Sequence, residues 1–384
     1  MDERHGARAN PAHRRRARCP LNRTADLAVI GAGMAGLATA LHAARAGKRV
    51  VVLERDEPCA AASGVNAGTL GLQNKRPPLL PFYGHALEEW ERLARELGEH
   101  GRVRPGGWHV AAEEHVALLR ETAQAHEGAG FAVEWVEGAA LRTRAPWLGP
   151  KVAAATRSAA DAYANPQRAD AALLTLVRRA GAEVLSHTSV TAARRGGAGY
   201  VLTTPAGDIE TAAVAIAAGP WSARVAALFG HRLPVRPSLI ALSVTAPAPP
   251  VMDALVTHVT GRLTMKQFAH GAVLIGGGWP GRGQLDPYAP GVDSLVIQHN
   301  LAFAADVVPA LGRLTLLRTW GGFEAESADG LPLLGRLSDD PPLVLCLPTA
   351  AGWTAGPLMG RLAAALVSGE ALPEWARPMA YPRT

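Results

Sequence analysis

The spacing of apolar residues predicts a strand, a helix and a second strand near the start of the chain. The stretch DLAVIGAGMAGLATALHAARAGKRVVVLERD joins short apolar runs to a longer run with helical spacing. This pattern predicts a strand over 26–30, a helix over 35–46 that ends at Gly47, and a strand over 49–53. A strand, a glycine turn and a helix in this order are typical of a parallel α/β sheet.

Similar patterns continue along the next part of the chain. Helical spacing recurs over 85–97 and 113–126, and strand-like apolar runs cover 107–112 and 131–136. These four elements are expected to form the first half of a second domain, which the strand-rich stretch 233–315 would complete.

Capping residues mark a further helix in the middle of the chain. Asn165 and Pro166 form an N-cap and first-turn pair, and Gly181 ends the predicted helix. The strand after it is predicted to carry Val190. A buried strand of small residues is predicted over 211–219, followed by a helix after Pro220.

The last 70 residues contain a second strand–turn–helix pattern. A strand is predicted over 343–347, a turn at Gly352 and a helix over 355–369. The backbone N–H groups of such a turn point outward at the start of the helix, where they can stabilise negative charge.

The glycine turn near the start of the chain has a full G-x-G-x-x-G pattern, formed by Gly31, Gly33 and Gly36. Gly31 permits the tight turn, Gly33 lets a pyrophosphate approach the backbone, and Gly36 allows close packing of helix on strand. The helix start at Met34 and Ala35 then offers N–H groups to the phosphates. The pattern predicts a dinucleotide site.

An acidic residue follows at the distance that this site requires. Glu54 ends the second strand, where its carboxylate can bind the hydroxyl groups of an adenosine ribose, with Arg55 beside it. A carboxylate there disfavours the 2′-phosphate of NADP, whereas FAD and NAD both remain open. The small-residue loop that follows favours the longer FAD, and we expect Ala62, Ser63 and Gly68 to lie along it.

Composition narrows the class of protein. The chain has 384 residues and a formal charge of +6, but residues 1–25 contain seven Arg against Asp2 and Glu3. The remainder is therefore near neutral and predicts no nucleic-acid-binding face. Residues 1–24 are expected to be a disordered basic tail. Cys19, Cys59 and Cys346 lack metal-ligand spacing, so no metal site is predicted and a cytoplasmic location is favoured.

Membrane spans are also not expected. The two longest uncharged stretches, 27–44 and 341–360, contain glycines or prolines and do not read as continuous apolar spans of about 20 residues.

These motifs together resemble the D-amino-acid-oxidase-like family of FAD-dependent oxidoreductases, over roughly residues 25–375. Within it, the chain is most similar to glycine and sarcosine oxidases and to β-subunits of bacterial amino-acid or opine dehydrogenases. The stretches GLQNK and LTMKQFAHGAVLIGGGWP (263–280) look most like flavoprotein β-subunits of bacterial amine or imino-acid dehydrogenases. The resemblance implies an α/β fold, with a Rossmann-type FAD-binding domain and a discontinuous α+β substrate domain. The predicted division assigns 25–82, 153–232 and 316–384 to the FAD domain, and 83–152 and 233–315 to the substrate domain.

The resemblance also implies further residues at a non-covalent FAD. Val190 and Gly219 are expected to flank the adenosine half, and Trp221 is expected to open a helix under the cofactor, although Trp221 reads equally well as a core aromatic. Gly335 is expected near the flavin through the ADGLPLLG stretch. The turn formed by Gly352, Trp353 and Thr354 is expected to face the flavin pyrimidine.

The substrate side departs from the family pattern. Many relatives place a carboxylate-binding Arg two residues after the Gly of a W-x-G motif, whereas Glu324 stands at this position here. A second Arg of some glycine oxidases is also missing near Ala350 and Ala351. Lys75, Lys266 or Arg318 can supply positive charge instead, and we expect Lys266, Glu324 and Lys75 to act on the substrate.

The resemblance implies hydride transfer from the C–N bond of an amino acid, imino acid or secondary amine to flavin N5. Two alternatives remain at this stage: a flavin-binding subunit that passes electrons to a partner protein, and a 2-hydroxy-acid oxidoreductase on the same fold.

Overall fold

The computed structural model describes residues 23–98, 102–349 and 352–383, so most of the predicted tail lies outside the described residues. The first strand begins at Arg23, so the last two residues of the predicted tail belong to this strand. The helices of the described residues are α1 (Met34–Arg45), α2 (Leu80–Leu97), α3 (Val116–Gly128), α4 (Gly138–Arg144), α5 (Pro166–Arg179), α6 (Ser222–Ala227), α7 (Ser294–Val307) and α8 (Gly352–Val367).

The strands of the described residues are β1 (Arg23–Ile30), β2 (Val50–Leu53), β3 (Thr69–Leu70), β4 (Gly107–Ala112), β5 (Glu134–Glu137), β6 (Val152–Ser158), β7 (Ala162–Tyr163), β8 (Glu183–Leu185), β9 (Ala192–Gly196), β10 (Gly199–Thr204), β11 (Gly207–Ile216), β12 (Val235–Thr245), β13 (Leu255–His258), β14 (Thr264–Gln267), β15 (Val273–Gly276), β16 (Arg282–Gln284), β17 (Ala289–Gly291), β18 (Leu316–Ser327), β19 (Leu333–Asp339) and β20 (Pro342–Leu347).

The first large sheet has the order β19-β20-β11-β1-β2-β8, with β10 and β9 attached beside β11. Strands β20, β11, β1, β2 and β8 run parallel. Ile30 pairs with both Leu53 and Ile216, so three parallel strands end at the same edge. The segments that follow these ends are therefore brought together, as in other dinucleotide-binding sheets.

The second large sheet has the order β18-β12-β15-β14-β13-β4-β6-β5 and is antiparallel except where β13 meets β4. Strands β6 and β18 lie in it, although the predicted division places most of β6 and all of β18 with the FAD domain. The division stays a prediction, and this pairing favours moving both strands to the substrate domain.

Most of the predicted helices and strands recur with shifted ends. The helix predicted over 35–46 is α1, the strand over 107–112 is β4, and the helix over 355–369 is α8, which starts three residues earlier. One prediction is wrong: Val190 lies in an irregular segment after β8, because that strand ends at Leu185.

The core around the first large sheet lies on both of its faces. One cluster of buried side chains includes Leu27, Val29 and Val52 and is covered by α1, α2, α5 and α8; a second cluster includes Ala28, Ile30 and Ile216 on the opposite face. Alternate residues of β1 thus contribute to opposite clusters, and the strand reads as a continuous apolar run because both faces are buried.

Candidate active site

A cavity of about 780 Å³ opens where β1, β2 and β11 end. Its volume lies within the usual range for cofactor and ligand sites, about 300–1,000 Å³. The cofactor residues predicted from the sequence that line it are Gly31, Gly33, Met34, Ala35, Glu54, Arg55, Ala62, Ser63, Val190, Gly219, Trp221, Gly352 and Trp353. The fold therefore brings together residues that lie more than 300 positions apart.

Glu54 is held in place by one backbone N–H of the nucleotide turn and one of the segment after β2. One carboxylate oxygen accepts a hydrogen bond from the N–H of Ala32 at 2.8 Å, and the other accepts from the N–H of Asp56 at 2.9 Å. Each oxygen retains a free lone-pair direction for a ligand hydroxyl. The predicted ribose carboxylate is thus oriented at the mouth of the cavity.

Two helix N-termini converge on this cavity. Helix α1 begins at Met34, whose N–H donates to the Ser63 hydroxyl at 2.9 Å, and α8 begins at Gly352. The two helices pack closely at Gly360, where an added Cβ would lie only 2.6 Å from the Ala35 carbonyl oxygen. Both positive helix ends therefore face the same space, which favours negative charge there.

A proline inside α8 shapes its first turn. Pro357 has no N–H and cannot bond the carbonyl oxygen of Trp353 four residues earlier. The indole Nε1–H of Trp90, on α2, donates to that oxygen at 3.0 Å. The rings of Trp90 and Trp353 also pack together, with their centres 5.3 Å apart. Trp90 thus supplies the missing hydrogen bond and fixes the position of Trp353 at the cavity.

Four predicted cofactor residues do not line the cavity of the described residues. Gly36 and Gly68 give room for the Gly31 and Ala164 carbonyl groups, and Gly335 gives room for the backbone of Tyr381. Thr354 is buried, and its hydroxyl donates to the carbonyl oxygen of Thr69 at 3.2 Å. Their roles in cofactor binding stay predictions, while their contacts here support the walls of the cavity.

Glu324 reaches the cavity from β18 of the second sheet. The pKa of its carboxyl is raised to about 7, mainly by burial and also by the charge of Glu326, while the charge of Lys75 opposes this change. Among the described residues, no cation lies within ion-pair distance of its carboxylate. A partly buried carboxylate without an ionic partner is available to a ligand.

Neither of the two predicted lysines is part of the cavity lining formed by the described residues. Lys266 is fully buried, and its Nζ donates to the Ala67 carbonyl oxygen and to the Thr69 hydroxyl, each at 2.6 Å. Burial lowers the pKa of Lys266 to about 7. These contacts anchor the loop before β3, and a direct contact of Lys266 with substrate stays a prediction.

Lys75 is half-buried and outside the cavity lining. Burial lowers the pKa of Lys75 to about 8, and the charges of Asp161 and Glu324 oppose this change. Its Nζ lies 5.3 Å from the centre of the Tyr83 ring, and its carbonyl oxygen lies 3.1 Å from Nε2 of His126. Lys75 is thus placed to act on Glu324 through its charge.

Sequence patterns missed several residues of the cavity. Asn66 lies beside the small-residue loop, and Arg224 follows the predicted Trp221. Asp286 and Tyr288 come from a hairpin in the second half of the chain and carry no motif. Only the tertiary fold brings this hairpin to the end of the cavity near Arg55.

The residues present fit an FAD on this structure's own geometry. At Gly31, a Cβ would come 2.5 Å from the Ala217 carbonyl oxygen, so the turn can form only with glycine and leaves its backbone open to the cavity. The N-termini of α1 and α8 suit the pyrophosphate and the polar edge of a flavin, and Glu54 suits a ribose. The described residues contain no group of three or more His, Cys, Asp or Glu side chains placed to hold a metal ion.

Comparisons with known proteins agree with this reading. The family model described as FAD dependent oxidoreductase, DAO, matches residues 26–366. Glycine oxidase of Geobacillus kaustophilus is 29% identical over 322 residues, covering 81% of this chain and 84% of the relative. Sarcosine oxidase subunit beta of Rhizobium meliloti is 26% identical, covering 86% of this chain and 80% of the relative.

A solved structure gives the same result for the fold. The crystal structure of glycine oxidase from Geobacillus kaustophilus superimposes with a TM-score of 0.84 at 26% identity, covering 94% of this chain and all of that chain. Within the described ranges, no helix has the length and apolar character needed to cross a membrane.

Proposed function

We propose that this chain, which belongs to the DAO family of FAD-dependent oxidoreductases, oxidises the C–N bond of an amine or amino acid. The names of its relatives, glycine oxidase and sarcosine oxidase subunit beta, support a small amine or amino acid as substrate. When bound, the flavin supplies the hydride acceptor, and the protein supplies binding, orientation and electrostatics.

The observation that carries the substrate proposal is Glu324. Its carboxylate lines the cavity, has no cationic partner in the described chain and has a pKa raised to about 7 by burial. A cationic amine of the substrate would supply the missing partner. We therefore infer a secondary amine or amino acid whose nitrogen contacts Glu324, rather than a substrate held mainly through its carboxylate.

Glu324 also suits the proton movement that C–N oxidation requires. Amines bind to proteins mostly as ammonium ions, whereas the neutral amine gives up hydride. A carboxylate with a pKa near 7 can accept the ammonium proton at neutral pH. In this proposal Glu324 binds the ammonium group and takes its proton, and Lys75 tunes that carboxylate through its charge.

Anaerobic mixing of the purified holoprotein with candidate substrates tests this function. The panel contains glycine, sarcosine, proline derivatives, opines, D- and L-amino acids and 2-hydroxy acids, and loss of the visible band of oxidised flavin reports reduction. Amines should bleach the flavin, and 2-hydroxy acids should not. Bleaching by 2-hydroxy acids alone would contradict the proposal.

A matched pair of variants tests the role of Glu324. Hydrogen bonds to charged groups contribute about 1.5–3 kcal/mol, so Glu324→Gln should raise KM by about 10- to 150-fold. Glu210→Gln changes the same residue type at an exposed position of β11, outside the cavity lining, and should leave KM unchanged. KM values for Glu324→Gln that match those of Glu210→Gln would refute the assignment.

A second candidate is a flavoprotein subunit that passes electrons to a partner protein. Similarity to sarcosine oxidase subunit beta supports it, as does the exposure of Leu316 and Leu317 on β18, an edge strand. Oxygen should then fail to reoxidise the bleached flavin of the isolated chain, whereas a dye acceptor should succeed. Rapid reoxidation by oxygen with peroxide release would exclude this candidate.

A further inference from the structure

Strands β16 and β17 form a two-stranded hairpin whose base rests on the second sheet. The N–H of Gly281 donates to the Leu239 carbonyl oxygen at 2.8 Å, and the N–H of Ala241 donates to the Trp279 carbonyl oxygen at 2.7 Å. Gly321 of β18 lies under the hairpin, since a Cβ there would come 2.6 Å from the Gly291 carbonyl oxygen. The base is thus anchored on β12 and β18.

The tip of this hairpin reaches the other domain through an ionic contact. The Asp286 carboxylate lies 3.6 Å from Nη1 of Arg55 and forms a closer ion pair with Nη1 of Arg224. Arg55 follows β2, and Arg224 lies in α6, so both belong to the nucleotide-binding half. One carboxylate therefore connects the hairpin to two separate elements across the cavity.

An aromatic contact accompanies this ionic one. The guanidinium of Arg55 lies 4.1 Å from the centre of the Trp221 ring, and the Trp221 and Tyr288 ring centres are 5.5 Å apart. Tyr288 also packs near Phe323 at 6.0 Å. A two-stranded hairpin is marginally stable alone, so these contacts at its tip hold it over the cavity.

The position of the tip identifies the part of the cofactor that it covers. Arg55 directly follows Glu54, whose carboxylate is placed for the adenosine ribose, and Trp221 follows the end of β11. Asp286 and Tyr288 line the same cavity beside these residues. The hairpin tip therefore lies beside the residues that are placed for the adenosine half of the cofactor.

We propose that Asp286 is a positioning residue of the FAD site, which holds Arg55 and Arg224 so that the hairpin closes over the adenosine half of the cofactor. FAD release then requires the Asp286 contacts to break. This role concerns retention of the cofactor and is independent of which substrate is oxidised.

The test measures FAD dissociation from the purified holoprotein, followed by the rise in flavin fluorescence after dilution. Each exposed ion pair changes an equilibrium by about 1.4- to 5-fold, so loss of two pairs in Asp286→Asn should speed release by about two- to thirty-fold. Asp286→Glu retains the charge and should restore slow release. High salt should accelerate release from the wild-type chain more than from Asp286→Asn, because salt screens only the intact pairs.

Two further variants separate this role from a general effect on folding. Arg224→Gln removes one partner of Asp286 at a mostly exposed side chain and should give an intermediate rate. Asp306→Asn breaks a comparable exposed pair with Lys151, at 2.9 Å, outside the cavity lining, and should leave release unchanged. Release from Asp286→Asn at the wild-type rate, or failure of Asp286→Glu to restore it, would overturn the proposal.

Discussion

Glu324→Gln should change the pH dependence of stability in a way that follows from the raised pKa of this carboxyl. The pKa is about 7 in the folded chain, against an ordinary value of 4.5. The folded state therefore binds more protons than the unfolded state between these pH values, and the free energy of unfolding falls as the pH rises through this window. The stabilising contribution of Glu324 is fully present below pH 4.5 and is lost as the pH rises through about 7.

The size of this effect follows from the shift of about 2.5 pKa units. At 1.36 kcal/mol per unit, ionised Glu324 destabilises the folded chain by about 3 kcal/mol above pH 7. Between pH 5 and pH 8.5 the loss is about 2.5 kcal/mol. Glu324→Gln cannot ionise at this position and should escape that loss, so the variant should become more stable than wild type as the pH rises.

Thermal unfolding at saturating FAD measures this difference. For a chain of 384 residues, an unfolding entropy of about 2.1 cal/mol/K per residue converts 2.5 kcal/mol into about 3 °C. The Tm of Glu324→Gln minus that of wild type should increase by this amount from pH 5 to pH 8.5.

The exposed Glu210→Gln on β11 serves as a control and should show no such trend. A Tm difference between Glu324→Gln and wild type that is constant with pH would refute the reasoning. Together with the expected rise in KM, the result would show that the chain retains a destabilising carboxylate for substrate binding.

Two other predictions concern the buried His109 and the close contact of α1 with α8. Burial, together with the charges of His126 and His258, lowers the pKa of the buried His109 to about 3. As the pH falls below about 6.5, His109 therefore binds a proton in the unfolded chain before it does so in the folded chain. Wild type should therefore lose about 1.4 kcal/mol relative to His109→Gln between pH 7.5 and pH 5.5 in urea unfolding, and equal losses would contradict this. Gly360→Ala should destabilise the chain by about 1–3 kcal/mol and weaken FAD binding, since the new methyl group would force α8 away from α1. Measured FAD affinity and Tm that match those of wild type would exclude this close packing.

Local sequence patterns were sufficient to predict the residues of the nucleotide half of the site. The glycine turn, the helix start at Met34 and the acid at Glu54 occupy one βαβ unit, where spacing along the chain determines spacing in space. The strand–turn–helix around Gly352 was predicted in the same way. Both segments line the cavity, and their assignment to FAD agrees with the family to which the chain belongs.

Predictions that depended on the direction of a side chain were less informative. Lys266 and Glu324 lie on different strands of the second sheet, and a strand alternates its side chains between two faces. Glu324 faces the cavity, whereas Lys266 is buried against the loop before β3. No local pattern of charges distinguishes these two outcomes.

The sequence by itself determined the fold class and the phosphate-binding turn, because apolar periodicity and glycine spacing act over a few neighbouring residues. Only the tertiary structure decided which distant residues share the cavity. The close contact of α1 with α8, the unpaired carboxylate of Glu324 and the hairpin tip at Asp286 all depend on packing between segments more than 200 positions apart in the chain. Such contacts are set by the shape and register of whole sheets, and short sequence motifs do not record them.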